Sequence, residues 1–250
     1  MTHRRLLLLS NSRNPGQERL AHARDAIREF LGADVTRALF VPFAVVGYPL
    51  DEYVAATRQT FLELGYDLDS VHQAEDMPAA VMRAEAIVVS GGNTFALLRA
   101  LQRYHLLDPL RARVMAGAPY LGWSAGANLA CPTIQTTNDM PIVEVADFRA
   151  LGLLPFQINP HYTEARIPNH GGEDRPTRLR EYLAANPGVT VVGLPEGAML
   201  RVEGDRLTLL GGQAVKVFQH GQPVVEYAGV AALQWLLDTP AAPEIPTTER

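Results

Sequence analysis

Gly122-Trp123-Ser124-Ala125-Gly126 is the stretch that decides how this chain reads. The apolar run Ala118-Pro119-Tyr120-Leu121 leads into it, and the small residues Ala125-Gly126-Ala127-Asn128-Leu129-Ala130 lead away. That sequence predicts a strand, a sharp turn and a helix. G-x-S-x-G at such a junction is the pattern of a nucleophile elbow. Its glycines permit a turn too tight for Cβ atoms beside the serine backbone. The following helix points its unpaired N–H groups and positive dipole end at the hydroxyl. A serine held this way is an exposed nucleophile with backbone donors at hand for an oxyanion. The bare motif is common, and a Gly-rich strand–helix turn with a solvated serine has the same letters, so the flanking elements carry the reading.

Those elements extend in both directions. Continuous apolar runs at 6–9 and 86–89 have the texture of parallel strands covered on both faces. A second strand is expected at 38–46, irregular or at an edge because Pro42 lies within it. A short one is expected at 66–71. Helical spacing of apolar residues predicts helices over 18–31, 51–64, 77–83, 94–104 and 108–116, with Gly32 and Gly65 ending the first two. Strands alternating with helices indicate an α/β domain, a mostly parallel sheet with helices on both faces. Ligands then bind beyond the carboxyl ends of the strands, where Gly91-Gly92-Asn93 and Ser124 both fall.

From Gly188 onward the texture changes. Segments 189–194, 198–203, 206–210, 214–219 and 224–227 read as short strands separated by Gly-rich turns, a β-meander appended to the sheet. A short helix is expected at 230–237. The whole reads as one domain over 1–238, with a frayed Pro- and Thr-rich tail over 239–250.

Bulk properties narrow the function. At 250 residues, 47% of them hydrophobic, the chain is able to build a sizeable core. A net charge of -5 leaves no electrostatic footprint for nucleic acid. Its one cysteine, Cys131, suits a reducing compartment. Two arginines precede the apolar run at 6–9, but that run is too short for a signal peptide and no cleavage site follows. No stretch approaches the length of a membrane span. A cytoplasmic protein with neither a nucleic-acid nor a membrane partner is expected, as a monomer or a homodimer.

A serine hydroxyl needs a base within reach and an orienting group behind that base. Of seven histidines, His3 and His22 read as solvated, and His72, His105 and His220 sit near element ends and turns. His161 differs: it follows an apolar strand and an Asn-Pro turn signal in Phe156-Gln157-Ile158-Asn159-Pro160-His161, where an α/β site draws its residues. His170, in a Gly-rich loop, is the second candidate. For the acid, Asp139 gives the chain order Ser, Asp, His of one known triad class. Glu196, at the end of the strongest late strand, is the alternative, and spacing does not decide between them. One amide of Gly91-Gly92-Asn93, with that of Ala125, is a candidate oxyanion hole. A phosphate-binding turn is disfavoured, because the P-loop lysine and the dinucleotide fingerprint are both missing.

Taken together, Ser90-Gly91-Gly92-Asn93-Thr94, Gly122-Trp123-Ser124-Ala125-Gly126-Ala127, Thr137-Asn138-Asp139-Met140-Pro141, Ile158-Asn159-Pro160-His161 and Gly193-Leu194-Pro195-Glu196-Gly197 resemble the peptidase E family of α-aspartyl dipeptidases. Val41-Pro42-Phe43, Asp51-Glu52-Tyr53 and Gly172-Glu173-Asp174-Arg175 fit it too, and the blocks run in order from the first strand to about Phe218. The resemblance implies a flavodoxin-like sheet related to class I glutamine amidotransferases, with serine where those have cysteine. It implies cytoplasmic hydrolysis of dipeptides with an N-terminal aspartate, without metal or cofactor. By position Ser124 is the nucleophile, His161 the base, and Asp139, ahead of Glu196, the third member. Gly92 and Ala125 fall on the oxyanion donors, and Arg175 on the aspartate-binding arginine, with Asn93 and Glu173 beside the substrate. A guanidinium fork suits a carboxylate side chain; the competing reading of Arg175 is a surface arginine paired with Glu173 or Asp174. Two rivals remain: a cyanophycinase-like exopeptidase acting on β-aspartyl-arginine, and a flavodoxin-like binding module that keeps the elbow only as structure.

Overall fold

The structure is a computed structural model that describes residues 3–166, 168–169, 171–229 and 233–239. Strands β1 (Arg5–Leu9), β2 (Arg37–Val41), β3 (Asp67–Ser70), β4 (Ala86–Val89) and β5 (Pro119–Trp123) alternate with helices α1 (Arg24–Leu31), α2 (Leu50–Leu64), α3 (Met77–Arg83), α4 (Thr94–Arg103) and α5 (Leu107–Met115). After β5 come α6 (Ala125–Leu129), β6 (Gln157–Pro160), α7 (Arg175–Ala185), β7 (Thr190–Leu194), β8 (Met199–Glu203), β9 (Arg206–Leu210), β10 (Val215–Gln219) and β11 (Val225–Tyr227).

Seven strands form the main sheet in the order β3-β2-β4-β5-β1-β8-β9. The first five are parallel; β8 and β9 are an antiparallel hairpin added beside β1. The apolar run of β1 is continuous because both its faces are covered. Leu6 and Leu8 pack with Val81, Leu97, Leu101 and Leu110 from α3 to α5. Leu7 and Leu9 pack with Ile27, Phe30 and Phe61 from α1 and α2. Helices on both faces of a mostly parallel sheet are as the sequence implies.

The late strands do not form one meander. The hairpin β8–β9 joins the main sheet, while β6, β7, β10 and β11 form a second sheet of order β11-β10-β7-β6. Helix α7 covers one face of that sheet through Leu179 and Leu183 against Val191 and Phe218. Sequence reading passed over α7, although Asp174 as N-cap and Pro176 in the first turn mark its start. The expected helix over 18–31 is split: Leu20 takes the left-handed conformation (φ 57°), a 3-10 turn covers Ala21–Ala23, and α1 follows. The expected strand over 38–46 stops at Val41, because Pro42 has no N–H for the ladder. Of the expected last helix, residues 230–232 lie outside the described residues and a 3-10 turn covers Gln234–Asp238. The tail from 240 to 250 lies outside them as well.

Strand order brings the site together. β1 lies between β5 and β8, and Leu9 is in register with Trp123 on one side and Met199 on the other. The serine turn after β5 and the segment just before β8 therefore reach the same edge. In the second sheet Pro160 is in register with Leu194, so the residues after β6 and β7 arrive there too.

Candidate active site

Ser124 sits between β5 and α6 with φ 52° and ψ -111°. A non-glycine residue in this region carries strain on the order of 1–3 kcal/mol and persists only where the surroundings enforce it. Here the Ser124 amide donates to the Leu9 carbonyl at 3.0 Å, and every residue of α6 is buried. The motif glycines have a packing reason: a methyl at Gly122 would collide with the Gly126 carbonyl, and one at Gly126 with the Val89 carbonyl. Ser124 is thereby held at the carboxyl edge of the sheet, at the end of a strand whose neighbours leave no room to relax.

His161 follows β6 directly, also with a positive φ of 53°. Its Nε2 lies 2.9 Å from Ser124 Oγ, and its Nδ1 lies 2.9 Å from Glu196 Oε1. An ionised carboxylate only accepts hydrogen bonds, so Nδ1 carries the proton and donates it to Glu196. Nε2 then keeps its lone pair for the serine hydroxyl.

The carboxylate at His161 Nδ1 is that of Glu196, whereas chain order had placed Asp139 first. Asp139 is engaged elsewhere: its Oδ2 accepts from Thr94 N at 2.7 Å, Thr94 Oγ1 at 2.6 Å and Thr137 Oγ1 at 3.1 Å. A carboxylate at the start of α4 complements that helix's dipole. His22, expected to be solvated, has both ring nitrogens buried. Burial pulls its pKa down, against the opposing charge of Glu196. His170 lies outside the described residues.

Two residues unforeseen in the sequence hold the relay in place. Ser10, fully buried after β1, accepts from the His161 amide at 2.8 Å and donates to the Leu194 carbonyl at 2.8 Å. It ties the histidine to the strand end that leads into Glu196. Next to it, Asn11 Oδ1 accepts from the Gly197 amide at 2.9 Å, fixing the turn that carries the acid. The available signal was a polar Ser-Asn pair directly after the run of four leucines in β1, where a buried polar side chain has to find partners.

Gly92 has φ 140°, and a methyl there would strike the Ala44 carbonyl. The neighbouring Gly91 lies against Trp123 and Ser124 closely enough that a Cβ would come within 3.0 Å of the serine's. Asn93, expected to contact substrate, lines the cavity of Ser124 and also caps α4: Oδ1 accepts from Ala96 N at 3.0 Å and Nδ2 donates to the Met140 carbonyl at 2.9 Å. Asn93→Ala is expected to lower folding stability by about 1 kcal/mol through loss of the cap. Denaturant unfolding of variant and parent checks this, and equal midpoints would contradict it.

Two cavities open here. One of about 600 Å3 is lined by Ser124, His161, Gly91, Gly92, Trp123 and Asp139, together with Arg19, Tyr53 and the segment 44–48. Beside it, a cavity of about 620 Å3 holds Arg175, Arg178, Glu173, Asn138 and Asn159. Asp139 lines both. Arg175 therefore occupies the neighbouring chamber, not the serine's own. Pairing with Glu173 or Asp174 does not occur: Glu173 lies 3.8 Å from Arg178, and Asp174 pairs with Arg166. Asp174 also caps α7 through Thr177, and these contacts hold its pKa down at about 2. Among the described residues Arg175 Nε is buried without a hydrogen-bond partner. Burial, and after it the neighbouring charge of Arg178, lowers its pKa. An unpaired, half-desolvated guanidinium is costly by itself and is relieved by an anion. Cys131 offers no competing nucleophile, since burial pushes its thiol up to about 12.

A serine on a strained strand–helix turn, bonded to a histidine that is bonded to a carboxylate, is the site geometry of a serine hydrolase on an α/β scaffold. The chain belongs to peptidase family S51, whose family model matches residues 6–210. Peptidase E of Nostoc sp. is 48% identical over 235 residues, covering 94% of this chain and 97% of that protein. Peptidase E of Salmonella typhimurium is 48% identical over 220 residues, 88% of this chain and 96% of that one. Among solved structures, a putative peptidase E protein from Listeria monocytogenes matches with a TM-score of 0.61 at 21% identity, over 83% of this chain and 98% of that one. A peptidase from an acI-B1 Actinobacterium matches with a TM-score of 0.65 at 17% identity, over 90% and 94%. These two likenesses concern the fold. Among the described residues no helix is long and apolar enough to cross a membrane.

Proposed function

We propose that the chain is a serine dipeptidase that hydrolyses α-aspartyl dipeptides through an acyl-enzyme on Ser124. The observation that carries this reading is the relay Ser124–His161–Glu196, with 2.9 Å at each joint. Ser124 Oγ attacks the peptide carbonyl as its proton passes to His161 Nε2. The imidazolium is stabilised by Glu196 through Nδ1–H. The carbonyl electrons move onto oxygen, and the amides of Gly92 and Ala125 hold that oxyanion. The C–N bond then breaks as Nε2 returns the proton to the leaving amine. A water, deprotonated by the same nitrogen, cleaves the ester and frees Ser124 and aspartate.

Specificity for an N-terminal aspartate is supported by Arg175, whose guanidinium has no carboxylate partner among the described residues and binds the side-chain carboxylate in bidentate fashion. Asp139, on the boundary of the two chambers, accepts the substrate's α-ammonium. A cytoplasmic setting with small peptide substrates fits the single buried cysteine. Arg175→Gln is expected to lower kcat/KM on α-Asp-Leu by about a hundred-fold, the worth of a charge-assisted pair. Hydrolysis of α-Asp-Leu, β-Asp-Leu, β-Asp-Arg, Glu-Leu, Asn-Leu and Ala-Leu, with and without EDTA, tests the proposal. Preferential cleavage of α-Asp-Leu, insensitive to EDTA, is expected. Cleavage of β-Asp-Arg in its place would establish the cyanophycinase-like reading, and cleavage of none would leave a binding module.

A further inference from the structure

The chamber that holds Ser124 contains an arginine of its own with no assigned role. Arg19 comes from the loop after β1, and its guanidinium carbon lies 4.7 Å from the Tyr53 ring centroid. Its Nη1 donates to Thr57 Oγ1 at 2.7 Å, and Thr57 Oγ1 is anchored in turn on the Tyr53 carbonyl at 2.8 Å. Stacking and this bond fix the direction of a long side chain that would otherwise lose rotamer freedom on binding. Among the described residues no carboxylate pairs with Arg19. It is half-buried, pre-oriented and lines the same cavity as the nucleophile.

A dipeptide with an N-terminal aspartate carries two carboxylates, one on the side chain and one at the C-terminus. Arg19 and Arg175, neither of which has a carboxylate partner among the described residues, stand in two chambers that meet at Asp139. The leaving amine takes its proton from His161 Nε2, so the leaving residue occupies the chamber that contains His161, which is the chamber of Arg19. Resting on the α-aspartyl dipeptidase reading above, we infer that Arg19 binds the α-carboxylate of the leaving amino acid and so sets the substrate length at two residues. The rest of that chamber is undemanding: Val46 and Tyr48 are 58% and 55% exposed, which leaves the leaving side chain free to vary.

The test compares α-Asp-Leu with α-Asp-Leu amide, which differ only in the charge that Arg19 reads. The parent enzyme is expected to favour the free acid by about ten- to a hundred-fold in kcat/KM, mostly through KM. In Arg19→Gln that ratio collapses towards one, and Arg19→Lys recovers part of it because the charge returns without the planar fork. Equal losses on acid and amide in Arg19→Gln would mean that Arg19 only supports Tyr53, and would overturn the inference. Equal cleavage of acid and amide by the parent would overturn it as well. A parent that cleaves neither compound refutes the α-aspartyl dipeptidase reading itself, whereas an active parent with no acid preference refutes only the role of Arg19.

Discussion

Replacing Ser124 with alanine is expected to lower kcat on α-Asp-Leu by about ten-thousand- to a million-fold, with the fold intact. The size follows from the mechanism: without the hydroxyl there is no acyl-enzyme, and what survives is oxyanion stabilisation and substrate positioning acting on water. Alanine fits the place. The Ser124 amide, which bonds to the Leu9 carbonyl, is untouched by the change, and among the described residues the bond to His161 is the one side-chain hydrogen bond lost. Unfolding midpoints within error of the parent, measured beside the kinetics, separate loss of chemistry from loss of structure. Substantial peptidase activity in a folded Ser124→Ala would remove serine from the mechanism.

The second large effect distinguishes the two acids. Glu196→Gln keeps the size and the hydrogen-bonding shape, but replaces an anion by a neutral amide that can present either a donor or an acceptor to Nδ1. His161 then loses both the partner that fixes its tautomer and the charge that stabilises the imidazolium. A fall in kcat of about a hundred- to a thousand-fold is expected, below the ~10,000-fold of a buried triad aspartate, because Glu196 is half-exposed and water screens its charge. Asp139→Asn has a different signature. Its carboxylate bonds to Thr94 and Thr137 and faces both chambers, so the change is expected to raise KM by roughly tenfold with little effect on kcat. Steady-state kinetics of the two variants side by side provide the check. A kcat collapse in Asp139→Asn with a near-normal Glu196→Gln would exchange their roles.

Much of this site was legible because local sequence and backbone geometry coincide. The elbow needs Gly122 and Gly126 for reasons of contact with Gly126 and Val89 carbonyls, and those reasons leave a G-x-S-x-G signature in the chain. His161 was legible because it ends a strand. The choice between Glu196 and Asp139 was not, since it depends on which strand ends become neighbours. Glu196 reaches His161 only because β7 pairs with β6 while β8 pairs with β1, so the turn between them crosses from one sheet to the other at the site. No spacing rule encodes that crossing, and reading the late strands as one meander concealed it. Ser10 and Asn11 escaped notice for the same reason: their partners, His161, Leu194 and Gly197, are more than 150 residues away in sequence. Asn93 has a second task that its place after the Gly-Gly turn did not announce. That place suggested a ligand contact, and the residue lines the serine's cavity while its side chain also caps α4.

The most direct measurement is active-site labelling with a serine-directed phosphonylating probe, followed by mapping of the modified peptide by mass spectrometry. The account predicts a single adduct on Ser124, formed more slowly in the presence of α-Asp-Leu and abolished in His161→Ala. Failure to modify Ser124 in the folded parent protein, or modification that neither α-Asp-Leu nor loss of His161 affects, would contradict it.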